Sequence, residues 1–377
     1  MLSILKSLQP VFKILPAALL CIGCANPSPS QQVPQDSTAS DTTKNTSIPS
    51  DTAPLTSNGF MKRADVQDFY RQVVAETQLP PDEVASLLSQ AQRLNSVIKL
   101  MAPRPPGAAP IVRDWPTYRR RFVEPIRIER GIAFYREHHL ELELAEKQYG
   151  VPASIITAII GVETLYGQQM GNYKVLDAIT TLAFDYPEHP RRQERVDLFR
   201  NQLKDLLILH HEGKLDARRQ LGSYAGAIGI PQFMPSSVRK FAVSADPQSQ
   251  RVDLEHNVND AIMSVANFLA SHGWVREAPV FAPVDLPSDA GKWVTGGITP
   301  NLTWAQLLQG GARLKPGTST KGWGHLPLGV IDLPTASTGQ VQYRVGTPNF
   351  FALTQYNRSY FYATSVTELA KAIQEAQ

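Results

Sequence analysis

Cysteine is nearly missing from this 377-residue chain: both of its cysteines, Cys21 and Cys24, fall within the first 24 positions. The long body that follows has no thiol to staple or to bind zinc, so a packed core has to hold it. Blocks of Lys and Arg interleaved with aromatics are absent too. A formal charge of +3 spread over the chain leaves no electrostatic footprint for nucleic acid. No serine nucleophile elbow, P-loop or dinucleotide fingerprint occurs, and nothing calls for a cofactor. His138, His139, Glu141 and Glu143 cluster in sequence. Adjacent histidines cannot share one helix face, however, and no further ligand pair stands out, so no metal site is expected.

The composition, 42% hydrophobic and 19% charged, is that of a globular protein with two or three packed units. At the N-terminus, Lys6 and Lys13 precede an apolar segment, 14–23, too short to span a bilayer and suited to an export signal over residues 1–23. Its end, Cys21-Ile22-Gly23-Cys24, resembles the bacterial lipoprotein box, although Cys21 stands where Leu is usual. That resemblance implies acylation of Cys24, with ordinary cleavage to a soluble product as the alternative. Each buried methylene contributes about 0.8 kcal/mol, so more than one chain is needed for a stable anchor. Residues 24–57, rich in Pro, Ser, Thr and Gln with no aromatic, cannot bury enough apolar surface to fold and read as a disordered tether. Its span is roughly 100 Å fully stretched and ~30 Å on average.

Helical periodicity begins at residue 60, breaks at Leu79-Pro80-Pro81 and resumes over 82–101. After a Pro-rich loop it predicts one long helix over 129–150 closed by Gly150, then an apolar helix over 152–167 opened by Pro152. Further helices are predicted in 177–185, 191–212, 235–243 and 257–271. Residues 276–346 change character: VFAPVDL, GVIDLP and QVQYRVG, between Pro and Gly punctuation, predict strands of a small β unit. The end returns to helix in SVTELAKAIQEAQ. The fold class is therefore mainly α (α+β). The units expected are an α domain at 58–150, a core at 151–275, the β unit at 276–346, and a segment at 347–377 that packs back on the helices.

Within AIIGVETLYG, Glu163 ends an almost wholly apolar run. Desolvation and the negative end of the helix dipole both disfavour its charged form, which suits a general acid. A glutamate turned to solvent, or paired with an arginine, is the plain alternative. The second informative stretch is GSYAGAIGIPQFMPSSVRKFA, 222–242. Its glycines and prolines specify an irregular backbone that presents Ser223, Tyr224, Gln232 and Phe233, groups that bind sugars; a mere connecting loop is the alternative.

Together with VNDAIMSVANFLASHGW, these stretches closely resemble the membrane-bound lytic murein transglycosylase B family of bacterial cell-wall enzymes, from about residue 60 to the end. The resemblance implies a lysozyme-like helical core flanked by an α unit and a small β unit. It implies that Glu163 is the sole catalytic acid/base, that Ser223 and Gln232 hold the sugar and its N-acetyl group, and that Phe233 lines the groove. Tyr118 in WPTYRRRF, and Tyr356, Asn357 and Tyr362 in TQYNRSYFY, are further cleft residues by the same likeness. Two departures stand out. Phe268 occupies a position where relatives can carry Tyr, and 243–257 lacks the spaced ligands, central Gly and terminal Glu of an EF-hand-like calcium loop, so no structural calcium is expected.

Glycosidases ordinarily use two carboxylates. Asp177 reads better as a helix N-cap, while Asp185 and Glu188 bracket the turn FDYPEHP. Lytic cleavage needs only one: Glu163 protonates the bond between N-acetylmuramic acid (MurNAc) and N-acetylglucosamine (GlcNAc), then deprotonates the C6 hydroxyl that closes a 1,6-anhydro ring. The competitors are a non-catalytic peptidoglycan-binding lipoprotein and a hydrolytic muramidase in which Asp177 or Asp185 activates water. The partners implied are glycan strands, a membrane through Cys24, and cell-wall synthesis or division proteins, with no nucleic acid. Ala25 in place of the Asp that signals inner-membrane retention points to the periplasmic face of the outer membrane, with a soluble periplasmic protein as the alternative.

Overall fold

The computed structural model describes residues 59–377 apart from Pro247 and Gln250. The expected leader, Cys24 and the tether lie outside the described residues. Among those described, no helix is long and apolar enough to cross a membrane.

Helix α1 (Ala64–Thr77) ends at Gln78, whose φ of 58° turns the chain, and Pro81 opens α2 (Pro81–Gln90) where a missing N–H costs nothing. The helix predicted over 82–101 is two, because α3 (Asn95–Met101) starts afresh. Asp177 Oδ1 accepts Gln92 N at 2.9 Å and Thr181 Oγ1 accepts Leu94 N at 3.0 Å, so side chains from a distant helix satisfy the amides at the break. Beyond α4 (Trp115–Arg119), the long helix predicted over 129–150 is also two, α5 (Pro125–Glu137) and α6 (His139–Tyr149). They divide at His138, whose backbone (φ −112°, ψ 26°) leaves the helical region. Gly150 closes α6 at φ 74°, as expected.

Helix α7 (Ala153–Thr164) follows, and every residue in it except Ser154 is buried. A helix apolar on all sides has no solvent face to offer and becomes the centre of a fold. Around it stand α8 (Val175–Phe184), α9 (Arg192–His211), α10 (Pro235–Phe241) and α11 (Val258–Ser271). Asp177 is not the cap of α8: Lys174 holds that position, and Asp177 sits a turn inside with its carboxylate committed to Gln92.

A smaller apolar cluster around Leu307, Trp323 and Leu328 underlies the β segments and includes α12 (Trp304–Gln309), with its Thr303–Gln306 capping box. Three two-stranded antiparallel sheets occur among the described residues: β1 (Tyr173–Lys174) with β2 (Leu221–Gly222), β3 (Val284–Asp285) with β4 (Arg313–Leu314), and the hairpin β5 (Gly329–Thr335) with β6 (Gln340–Gly346). Of VFAPVDL only Val284 and Asp285 form a ladder. The chain then returns to the main core through α13 (Pro348–Tyr356) and α14 (Tyr360–Glu375), and α14 packs along α7 and α5.

Candidate active site

Glu163 is the penultimate residue of α7 and is 2% exposed. Its Oε1 accepts the Tyr362 hydroxyl at 2.7 Å, while Oε2 has no hydrogen-bond partner among the described residues. Burial pushes its carboxyl up to about 8, and the Tyr362 bond opposes that rise only in part. The solvent-facing and arginine-paired alternatives are therefore excluded: the acid is enclosed, mostly protonated near neutrality, and holds one oxygen ready to give or take a proton.

The backbone beyond Glu163 is unusual. Leu165, Tyr166 and Gly167 all have positive φ (50°, 60° and 82°), so α7 stops at Thr164 rather than at Gly167. Two non-glycine residues in succession in that region store strain that surrounding contacts must offset. Thr164 Oγ1 accepts Gly167 N at 3.0 Å and donates to Ile230 O at 2.9 Å, tying this turn to the second motif. On the other side, the buried Arg127 donates through Nε to Gly161 O at 2.9 Å, and the Tyr166 hydroxyl donates to Arg127 O at 2.8 Å.

The loop 222–234 is built as its glycines suggest. Gly226 and Gly229 have φ of 82° and 68°; a Cβ would lie 2.3 Å from the Ile179 side chain at the first and 2.3 Å from Leu254 O at the second. Gln232 is itself left-handed (φ 53°) and buried. Its Nε2 donates to Gly229 O at 2.9 Å and Met170 O at 3.2 Å, leaving Oε1 buried with no partner among the described residues. An orphaned buried amide oxygen at this point is ready for a donor from a ligand. Phe233 packs against Phe268 (5.5 Å between centroids) and Tyr356 (5.8 Å), and Tyr356 stacks with Tyr362 at 6.3 Å. The Tyr356 hydroxyl donates to Pro231 O at 2.6 Å. Gln232, Phe233, Phe268 and Tyr356 share the wall of a cavity of about 220 Å³. Glu163 is not in that wall; Tyr356 and Tyr362 connect the two.

Of the residues singled out from sequence, the structure thus brings Glu163, Tyr362, Tyr356, Phe233 and Gln232 into one chain of contacts. Ser223 is 1% exposed, with its Oγ accepting Ala227 N at 3.1 Å. Tyr224 is also buried, and desolvation raises its phenol to about 12. Asn357 is buried just after α13. Tyr118 packs on Phe122 and Phe361, beside Tyr362. Arg127 and Tyr166 escaped the sequence reading, since neither stands in a motif that announces a support role.

The three other carboxylates have different occupations. Asp177 serves Gln92, Asp185 bridges Arg63 and Arg93 at 2.8 and 2.7 Å, and the Glu188 side chain is 98% exposed. At the loop after α10, Asp260 of α11 accepts Ala245 N and Asp253 N, each at 2.8 Å, and Asp253 accepts Glu255 N and His256 N. These oxygens are spent on amides, and no group of three His, Cys, Asp or Glu placed to hold a metal occurs among the described residues.

A lysozyme-like helical core with one enclosed carboxyl beside an aromatic-lined groove defines a class of glycan-cleaving enzyme. Residues 61–371 match the model of the transglycosylase SLT domain. The chain belongs to that family, enzymes that act on peptidoglycan. It is 34% identical over 323 residues to membrane-bound lytic murein transglycosylase B of Escherichia coli (strain K12), covering 83% of this chain and 84% of that one. Its fold is similar to that of catenated lytic transglycosylase SltB1 from Pseudomonas aeruginosa (TM-score 0.73, 36% identity, 83% and 98% covered). It is also similar to that of SltB3 from the same organism in complex with NAG-anhNAM-pentapeptide (TM-score 0.67, 25% identity, 82% and 78% covered).

Proposed function

We propose that the protein is a lytic transglycosylase that cleaves the β-1,4 bond between MurNAc and GlcNAc and leaves 1,6-anhydro-MurNAc ends, with Glu163 as its single acid/base. The observation that carries this reading is the enclosed Glu163 carboxyl, protonated near neutrality, with one oxygen on Tyr362 and the other open. In the first step the Glu163 proton passes to the glycosidic oxygen, the C1–O bond breaks, and the acetamido oxygen of MurNAc closes on C1 as an oxazolinium. In the second, the Glu163 carboxylate takes the C6 hydroxyl proton, O6 bonds to C1, and the oxazolinium reopens. The proton removed restores the acid, and no water is consumed. Because the nucleophile is already part of the substrate, proximity replaces an activated water.

The engagement of Asp177 and Asp185 elsewhere supports one carboxylate over two. The anhydro sugar named in the SltB3 complex supports the product. In this reading Gln232 Oε1 receives an N–H of the sugar, Ser223 and Tyr224 bind it from the same loop, and Phe233, Tyr118, Tyr356, Asn357 and Tyr362 line the groove. The division into units at 58–150, 151–275, 276–346 and 347–377 belongs to the same proposal, as do anchoring through Cys24 at the periplasmic face of the outer membrane and association with cell-wall synthesis or division proteins.

Mass spectrometry of the soluble fragments released from purified peptidoglycan tests the chemistry. Anhydro-muropeptides, one water lighter than hydrolytic products and absent with Glu163→Gln, are the expected result. Reducing-end fragments would make the protein a hydrolase, and tight binding without fragments would make it a scaffold.

A further inference from the structure

Beside the Glu163 groove lies a second cavity, of about 270 Å³, where the segment before α4 meets the loop between α13 and α14. Ile111 and Val112 form part of its wall and are 71% and 66% exposed, which leaves apolar surface open to solvent. Ile298 and Phe361 add to it. Phe361 immediately precedes Tyr362, and Tyr118, which packs on Phe361 at 5.4 Å, lies in the same wall. The cavity is therefore one residue removed from the partner of the catalytic carboxyl.

Its charges are not balanced. Of the two acids present, Asp114 is committed to the amides of Thr117 and Ala336 at 3.0 and 2.8 Å, and Asp332 to Arg113 at 2.7 Å. The side chains of Arg121 and Arg358 are exposed and have no ion pair or hydrogen bond among the described residues. Two open guanidinium groups beside an apolar wall suit a short ligand that carries carboxylates and small apolar side chains, since Arg binds carboxylate in a planar, bidentate fashion. The volume sits at the low end of ligand pockets, which start at about 300 Å³, so it fits a peptide segment rather than a folded partner.

We propose that this cavity is a subsite for the stem peptide of the strand being cut, with Arg121 and Arg358 on its carboxylates and Ile111 and Val112 against its alanyl methyls. The inference rests on the peptidoglycan reading above. Charge complementarity selects the peptide: once the muramoyl carboxyl is amide-linked, the glycan itself is neutral and every carboxylate of the polymer belongs to the stems.

The test compares two substrates, purified peptidoglycan with stems intact and the same glycan stripped of stems by an amidase, with the freed muramoyl carboxyls then capped as methyl amides so that it is neutral. The protein, Arg121→Ala, Arg358→Ala and the double variant are assayed on both by fragment release. Both arginines are exposed, so melting temperatures are expected to match. Each single variant should lose several-fold in kcat/KM on the intact polymer and the double variant at least tenfold, with less than a twofold change on stripped glycan. Arg358→Lys should retain part of the effect. Equal losses on both substrates, or none on either, would overturn the subsite while leaving the glycan reading standing. Failure of the unaltered protein to cut either substrate would overturn both.

Discussion

Tyr362 occupies one oxygen of Glu163 and leaves the other open, so the two oxygens have different work. Burial, which raises the carboxyl to about 8, keeps the proton on it; the Tyr362 hydroxyl steadies the carboxylate that forms once the proton has left. On the proposed single-carboxylate mechanism the acid form is the working form, so activity should fall as pH rises through about 8. Tyr362→Phe removes the donor that favours the charged form, and the alkaline limb should move to higher pH while kcat drops several-fold, because the carboxylate left after proton transfer loses its hydrogen bond. A pH profile of kcat/KM checks this. An alkaline limb that stays in place would mean that the phenol does not set the acid's strength. Phe268 bears on the same neighbourhood: it packs at a tilt against Tyr356 at 4.8 Å and offers only its ring, so the wall there is apolar where a tyrosine would add a hydroxyl.

The helix that carries Glu163 is held at its last turn by a local device. Gly161 lies under the Tyr166 ring, where a Cβ would sit 2.4 Å from Oη and 2.5 Å from Cζ, and a Cβ on Gly131 of α5 would meet the same hydroxyl at 2.4 Å. With Arg127 fixed to Gly161 O, α5, α7 and the strained turn lock together. Gly161→Ala should displace Tyr166 and tilt the end of α7. The expected cost is about 1–3 kcal/mol, as for overpacking, and at least a tenfold loss of kcat with little change in binding of glycan fragments. Activity assays and melting curves on this variant decide it; unchanged kcat would show that the turn is held by other contacts. Helix α7 and the loop 222–234 were legible in the sequence because their signals are local: an unbroken apolar run, and glycines where only glycine fits. The breaks at Ala91–Leu94 and His138 were not. The first is satisfied by Asp177 and Thr181, more than eighty residues away, and no periodicity within the segment reports that. The start of α14 was missed for a smaller reason: Ser359 caps it by accepting Tyr362 N, one turn before the apolar pattern becomes regular. For the same reason the mutual placement of Glu163 and Tyr362 reached the sequence reading only through family likeness.

Across the whole molecule the buried acid has a stability cost that follows pH. Its folded value of about 8 lies above the ordinary 4.5, so the folded state holds the proton more tightly than the unfolded chain. Between those values the unfolded state binds fewer protons and stability declines as pH rises, levelling off above about 8. The full difference corresponds to roughly 4–5 kcal/mol. Glu163→Gln removes the titration, so its melting temperature relative to the unaltered protein should climb steadily from pH 5 to pH 8 and then stay constant. A difference independent of pH would show that the acid is not protonated in the fold. The pairing that tempers this cost spans most of the chain, for Tyr362 follows Glu163 by 199 residues. During synthesis the carboxyl leaves the ribosome long before its phenol exists. On the proposed mechanism a nascent chain therefore carries an unfinished active centre until α14 has been translated and has docked, and premature termination anywhere before that helix should yield a protein without the pair that is proposed to cut the polymer.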